Sequence, residues 1–345
     1  MDYKIIGTAI GSLPHQNVDQ AMALISRTFA ESPFWPQLPK RDFREGMYIQ
    51  YSEGLPGATI DTDKQRLFFR MDDNFPAAKE KFMEALMQDD LDAFAMSADY
   101  ASGFHAFLAA CKSGASAPPM VKGQVTGPIS LGLTVTDENN RSILYNPEFE
   151  EILTNGLMMK ARWQAKKLLE ISPQAIIFID EPYLASFGSA FISLEREQVV
   201  QTIALISDAI KGEGVKSGAH CCGNTDWTLL MEAGVDIINF DAVTFTESMT
   251  LYPEKLLAYL QGGGSLAWGV VPNSDSIREE TTASVVKRFW SGIHALEAKN
   301  IPLDLLLASV WITPCCGAGS MQEADAEKML WLANAAAESI KQELK

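Results

Sequence analysis

A chain of 345 residues, 47% apolar and 21% charged, has the composition of an ordinary globular protein with ample material for a core. Its 44 acidic against 28 basic residues give a formal charge of −16, which sets nucleic-acid phosphates and anionic membranes aside as expected partners. The sequence holds no apolar run of about 18 residues, so neither a membrane span nor a secretory signal is expected. Four of the five cysteines stand in adjacent pairs, which suits reduced thiols in a cytoplasm better than a disulfide framework.

In chain order, residues 3–10 read as a buried strand that leaves through Gly11-Ser12-Leu13-Pro14-His15. The exit can be a plain turn, or Gly11 and Ser12 can offer backbone amides and a hydroxyl to a small polar ligand. Asn17 then opens a helix with an apolar stripe through Ala21, Leu24, Ile25 and Phe29. Residues 31–73 form a long irregular stretch whose aromatic residues would either roof a cavity or dock a partner. A helix over 76–87 is expected, then a strand over 93–97, a helix over 101–111, a strand over 120–126 broken by Gly127-Pro128, and a helix over 147–171.

Residues 175–179 are apolar throughout, as buried parallel strands are, and they end in Asp180-Glu181-Pro182. A carboxylate that continues such a strand needs a polar reason to be there, and a substrate ammonium would supply one for Asp180. Helices over 195–211, 225–233, 253–260, 277–299 and 321–341 alternate with strands over 215–219, 235–240, 265–270 and 305–311. This alternation, with no Gly-rich dinucleotide fingerprint, predicts one α/β domain over residues 1–345: a (β/α)8 TIM barrel with a long loop after its first strand and helix.

The chemistry-bearing stretch is Ala219-His220-Cys221-Cys222-Gly223-Asn224. His220 and Cys222 are soft ligands two apart at a strand exit, and two ligands rarely hold a metal alone. Asp241 follows the apolar run 235–240, and Cys316 follows Thr313-Pro314-Cys315 after the last strand. Strand ends of a barrel converge on one rim, so His220, Cys222, Asp241 and Cys316 form a four-point cage fit for zinc. The plain alternatives are buried thiols acting as small hydrophobes, or a purely structural zinc.

The motif order resembles the C-terminal catalytic barrel of cobalamin-independent methionine synthases, within the superfamily of uroporphyrinogen decarboxylase and the coenzyme M methyltransferases. The resemblance rests on Ile10-Gly11-Ser12-Leu13-Pro14, Thr126-Gly127-Pro128-Ile129-Ser130, Asp180-Glu181-Pro182, His220-Cys221-Cys222, Ile238-Asn239-Phe240-Asp241 and Thr313-Pro314-Cys315-Cys316-Gly317. It implies zinc held by His220, Cys222, Asp241 and Cys316, where the family usually has Glu in place of Asp241. It implies Gly11 and Ser12 on a substrate carboxylate and Asp180 as the catalytic residue that fixes the substrate ammonium. The family's Asp-x-His segment is replaced by Trp268-Gly269-Val270-Val271-Pro272-Asn273-Ser274, and Thr134 stands near the place of its pterin-stacking Trp.

The expected function is therefore zinc-dependent transfer of a methyl group to a small thiol, homocysteine first, from methylcobalamin or a methylated corrinoid protein rather than folate. Another thiol such as coenzyme M, a porphyrinogen decarboxylase and a non-catalytic zinc-binding protein are the rival readings.

Overall fold

A computed structural model describes residues 3–114, 116–190 and 192–345 of the chain. Among the described residues ten strands form: β1 (Lys4–Gly7), β2 (Ala58–Asp61), β3 (Arg66–Phe69), β4 (Val121–Thr126), β5 (Thr136–Asp137), β6 (Ala175–Asp180), β7 (Lys216–Cys221), β8 (Ile237–Asp241), β9 (Ser265–Val271) and β10 (Ser309–Pro314). The twelve α-helices among them are α1 (Val18–Thr28), α2 (Phe75–Met87), α3 (Ser102–Ser113), α4 (Pro128–Thr134), α5 (Pro147–Leu169), α6 (Arg196–Gly212), α7 (Thr228–Glu232), α8 (Thr246–Met249), α9 (Pro253–Gln261), α10 (Thr282–Glu297), α11 (Leu303–Leu307) and α12 (Glu323–Glu343). Among the described residues, no helix is long and apolar enough to cross a membrane.

Seven strands form one parallel sheet in the order β1-β10-β9-β8-β7-β6-β4, and β2, β3 and β5 form a small separate sheet. The architecture is barrel-like, but the main sheet is open between β1 and β4, and an eighth strand of the expected barrel is not part of it. Residues 33–37 lie across that opening. The Lys122 amide donates to Pro33 O (2.9 Å) on one side, and on the other the Gln37 amide donates to Gly11 O (3.1 Å) while Leu13 N donates to Gln37 O (2.9 Å). Pro33 and Pro36 have no N–H, so this segment makes isolated bridges instead of a ladder.

That placement explains one departure from expectation. Residues 93–97 are not a strand: Leu91–Phe94 makes a 3-10 turn, and the place beside β4 is taken by Phe34, which bridges to Lys122. A second departure is the run 305–311, where Leu303–Leu307 is helical and the strand begins at Ser309. A continuous apolar run fits a buried helix as well as a buried strand, and here it is divided between the two. The stretch 31–73 also holds two 3-10 turns, Phe43–Glu45 and Gln50–Ser52, and the β2–β3 hairpin.

Alternation along the strands sorts their side chains onto two faces. Met120, Ile176, Phe178, Ile237, Ala267 and Trp311, with Ile6 against them, make a small apolar cluster inside the curve of the sheet. The helices cover the other face with a much larger core. Gly218 belongs to the inner layer as well, because a Cβ there would lie 2.2 Å from the Phe178 ring. Two residues beyond Phe178, Gly218, Ile237 and Trp311 come Asp180, His220, Asn239 and Thr313, and Gln124, which pairs with Phe178, adjoins them, so a polar layer sits above the apolar one.

Candidate metal and substrate site

The polar layer opens into a cavity of about 440 Å³, lined among others by Ser12, Gln124, Asp180, His220, Cys222 and Cys316. Ligand atoms of His220, Cys222 and Cys316 all lie within 4.8 Å of one another, so these three residues could hold a metal ion. β7 delivers the His and the first thiol, and the turn after β10 delivers the second.

The histidine is set up by its neighbour on β8. Asn239 pairs with His220 in register, and its amide nitrogen donates to Ala267 O (3.1 Å) and Thr313 Oγ1 (2.7 Å). Its oxygen is therefore the free acceptor, and the proton of the His220–Asn239 hydrogen bond sits on His220 Nδ1. In the neutral ring that leaves the lone pair on His220 Nε2, an atom that is buried and without a hydrogen-bond partner. A metal-binding imidazole needs this tautomer.

The two thiols differ in charge. The nearby Cys316 thiol and then His220 pull the Cys222 thiol down to about 4, against the opposing effect of burial. Its nearness to Cys222 pushes Cys316 the other way, far up, so the pair favours charge on Cys222 rather than on Cys316. Burial opposes charge on His220, but the Cys222 contact and Asp180 outweigh it and raise its pKa. Cys221 and Cys315 are different again: burial pushes both to about 12, and Cys315 Sγ donates to Asn273 Oδ1 at 3.4 Å. In each adjacent pair one sulfur belongs to the core and the other to the cavity.

Asp241 stays outside the trio. Its Oδ1 accepts from the amides of Val243 (2.8 Å) and Thr244 (3.1 Å), so the carboxylate caps the turn after β8. The predicted four-point cage is thus three points in this structure, with Asp241 buried nearby.

The carboxylates that end β6 point to different tasks. Glu181 accepts from Ile129 N (3.0 Å), Ser130 N (2.8 Å) and Ser130 Oγ (2.6 Å), capping α4, and burial raises its pKa to about 7. Gly127 is glycine for this reason, since a Cβ there would meet the Glu181 carboxyl at 2.0 Å. Asp180 lines the cavity, and its buried Oδ1 has no partner. Burial lifts its pKa to about 6, held back by His220 and by Lys122.

Ser12 lines the cavity, as expected, and its hydroxyl accepts from Gly319 N at 3.3 Å. Gly11 plays a different part. It has φ +143°, and a Cβ there would come within 2.8 Å of three atoms of the Gln124 amide, so its bareness makes room for that side chain. Lys40 reaches the same cavity, with its ammonium 2.6 Å from Met321 O.

Sequence reasoning missed Asn239 and Gln124. The signal was the one that exposed Asp180, a polar side chain inside an apolar buried strand, but by itself it does not say which partner satisfies it.

Fold and site together define an α/β protein with a barrel-like sheet and a possible His/Cys metal site at the sheet's carboxyl edge. No protein-family model matches the chain, and no curated protein matches it.

Proposed function

We propose that this chain is a zinc-dependent S-methyltransferase that methylates a small thiol, homocysteine to methionine, with methylcobalamin or a methylated corrinoid protein as donor. The observation that supports it is the trio itself: one imidazole and two sulfurs, the group that converges among the described residues, beside a cavity of about 440 Å³. Structural zinc sites close all four positions, whereas catalytic ones keep one open. The donor set fits zinc, which takes imidazole and thiolate ligands: His220 Nε2 is buried without a hydrogen-bond partner, and Cys222 is drawn toward its thiolate. Bound there, zinc would lower the pKa of an incoming thiol while leaving its sulfur electron-rich.

The chain's residues do the rest. The buried Asp180 carboxylate holds the substrate ammonium, and Ser12 lies on the carboxylate side, so the thiol is fixed in one pose for in-line attack. The thiol gives up its proton to solvent, its sulfur bonds the methyl carbon, and the bonding pair of the broken cobalt–carbon bond stays with the donor. A complete eightfold barrel over one domain, with residues 33–37 in the eighth position, fits the bridges on both of their sides. The resemblance to the methionine synthase barrels supports the same reading, and the altered 268–274 segment favours the corrinoid donor over folate.

Zinc-loaded protein should bind one metal per chain and form methionine from homocysteine and methylcobalamin, and not from methyltetrahydrofolate. Cys316→Ser should lose both metal and turnover. Full turnover by metal-free protein would overturn the proposal.

A further inference from the structure

Three buried polar atoms on the cavity wall lack a hydrogen-bond partner: His220 Nε2, Asp180 Oδ1 and Gln124 Oε1. All three are acceptors. The first belongs to the metal in the reading above, which leaves a carboxylate oxygen and an amide oxygen on neighbouring strands. Gln124 pairs with Phe178 in register, two residues before Asp180 on the same face.

The pose of Gln124 is built from several sides. Its backbone N–H donates to Gln164 Oε1 (3.2 Å), and its backbone oxygen accepts from Gln164 Nε2 (2.9 Å) and from the Tyr51 hydroxyl (2.7 Å). Trp35 Nε1 holds Gln164 in turn (2.9 Å). The Gln124 side-chain nitrogen donates to Trp35 O (3.3 Å), which fixes the amide with its oxygen free. Gly11 supplies the space. Every polar atom of this residue is satisfied within the protein except Oε1, and that atom is held by a network too extensive to reorient cheaply.

Lys122 does not fill the gap. Its ammonium donates to Ile10 O at 2.6 Å and lies 4.6 Å from the Phe178 ring centre. Two buried acceptors, one of them charged, call for a ligand with several N–H donors and a positive charge, and a primary ammonium has three. We propose that Gln124 is a specificity-determining residue that binds the ammonium of an α-amino-acid thiol together with Asp180, so that the site selects amino-acid thiols over thiols that carry only an acid group. This rests on the thiol-methylating reading of the site but concerns a different end of the substrate.

The test is calorimetric binding to zinc-loaded protein, with no methyl donor present, of homocysteine, of 4-mercaptobutyrate, which lacks only the amino group, and of L-norvaline, which lacks only sulfur chemistry. Gln124→Met keeps the length and removes the acceptor; Gln124→Glu keeps an acceptor. Gln124→Met should weaken homocysteine about tenfold and leave 4-mercaptobutyrate unchanged, with metal content equal to wild type, while Gln124→Glu keeps the preference for homocysteine. Equal weakening of both thiols, or no change in either, would overturn the proposal, as would a wild type that binds the two thiols equally. Binding of norvaline but of neither thiol, lost in Gln124→Met, would support the ammonium site and defeat the thiol-methylating reading instead.

Discussion

At the scale of single residues, the site depends on which proton sits where. His220 can offer Nε2 because Asn239 takes the proton on Nδ1, and Asn239 can do so because Ala267 O and Thr313 Oγ1 occupy its own donors. Removing that support leaves the imidazole free to turn and to change tautomer. Asn239→Ala should therefore bind zinc about 10–100-fold more weakly, with the far-ultraviolet circular dichroism of the wild type. Titration against a chromophoric chelator measures this, and an unchanged affinity would show that the histidine needs no such partner. The His220, Cys222 and Cys316 cluster was legible in the sequence because His and Cys at strand exits have few other reasons to come together. Asp241 lies outside that cluster in the structure, where its Oδ1 caps the turn after β8, a use of a strand-exit carboxylate that looks the same in one dimension.

At the scale of elements, the segment 33–37 matters most, and close packing adds to the hydrogen bonds that hold it. α3 lies against it at Gly103, where a Cβ would be 1.9 Å from Pro36 O. The contact is with backbone, which cannot swing aside. Gly103→Ala should destabilise the protein by about 1–3 kcal/mol in chemical unfolding, despite the better helix propensity of alanine. A stabilised variant would mean that α3 and the segment can separate without cost. This element was the least legible one. Its prolines read as loop, and only the two flanking strands give it an extended shape. The opposite case is 175–179, whose unbroken apolar run already showed a buried strand. Between them stands 305–311, where Leu305, Leu306 and Leu307 suited helix and strand alike, and packing decided.

For the whole molecule, a bound metal would join two strand ends far apart in the chain, the end of β7 with His220 and the following Cys222, and the turn after β10 with Cys316. Since the unfolded chain has no such preformed site, binding energy becomes folding energy. Zinc at a hundredfold excess over its dissociation constant should stabilise the fold by about 2.7 kcal/mol, which raises the melting temperature by roughly 4 °C for a chain of this size. Differential scanning calorimetry with and without a chelator measures the shift, and Cys316→Ser should show none. An equal shift in that variant would place the metal elsewhere. The overall architecture was readable because helix and strand periods alternate so regularly after residue 120; the opening between β1 and β4 was not, because sheet closure depends on which distant segments meet.

The cavity wall is also divided along the chain. Ser12 and Gln124 come from the first 126 residues and Asp180 from the middle. The sulfurs, the imidazole and the amide that steadies it come from residues 220–316. The two sets of groups are thus separable in sequence: the amino-terminal third could be retailored for a new ligand without changing any of the three residues that could hold a metal.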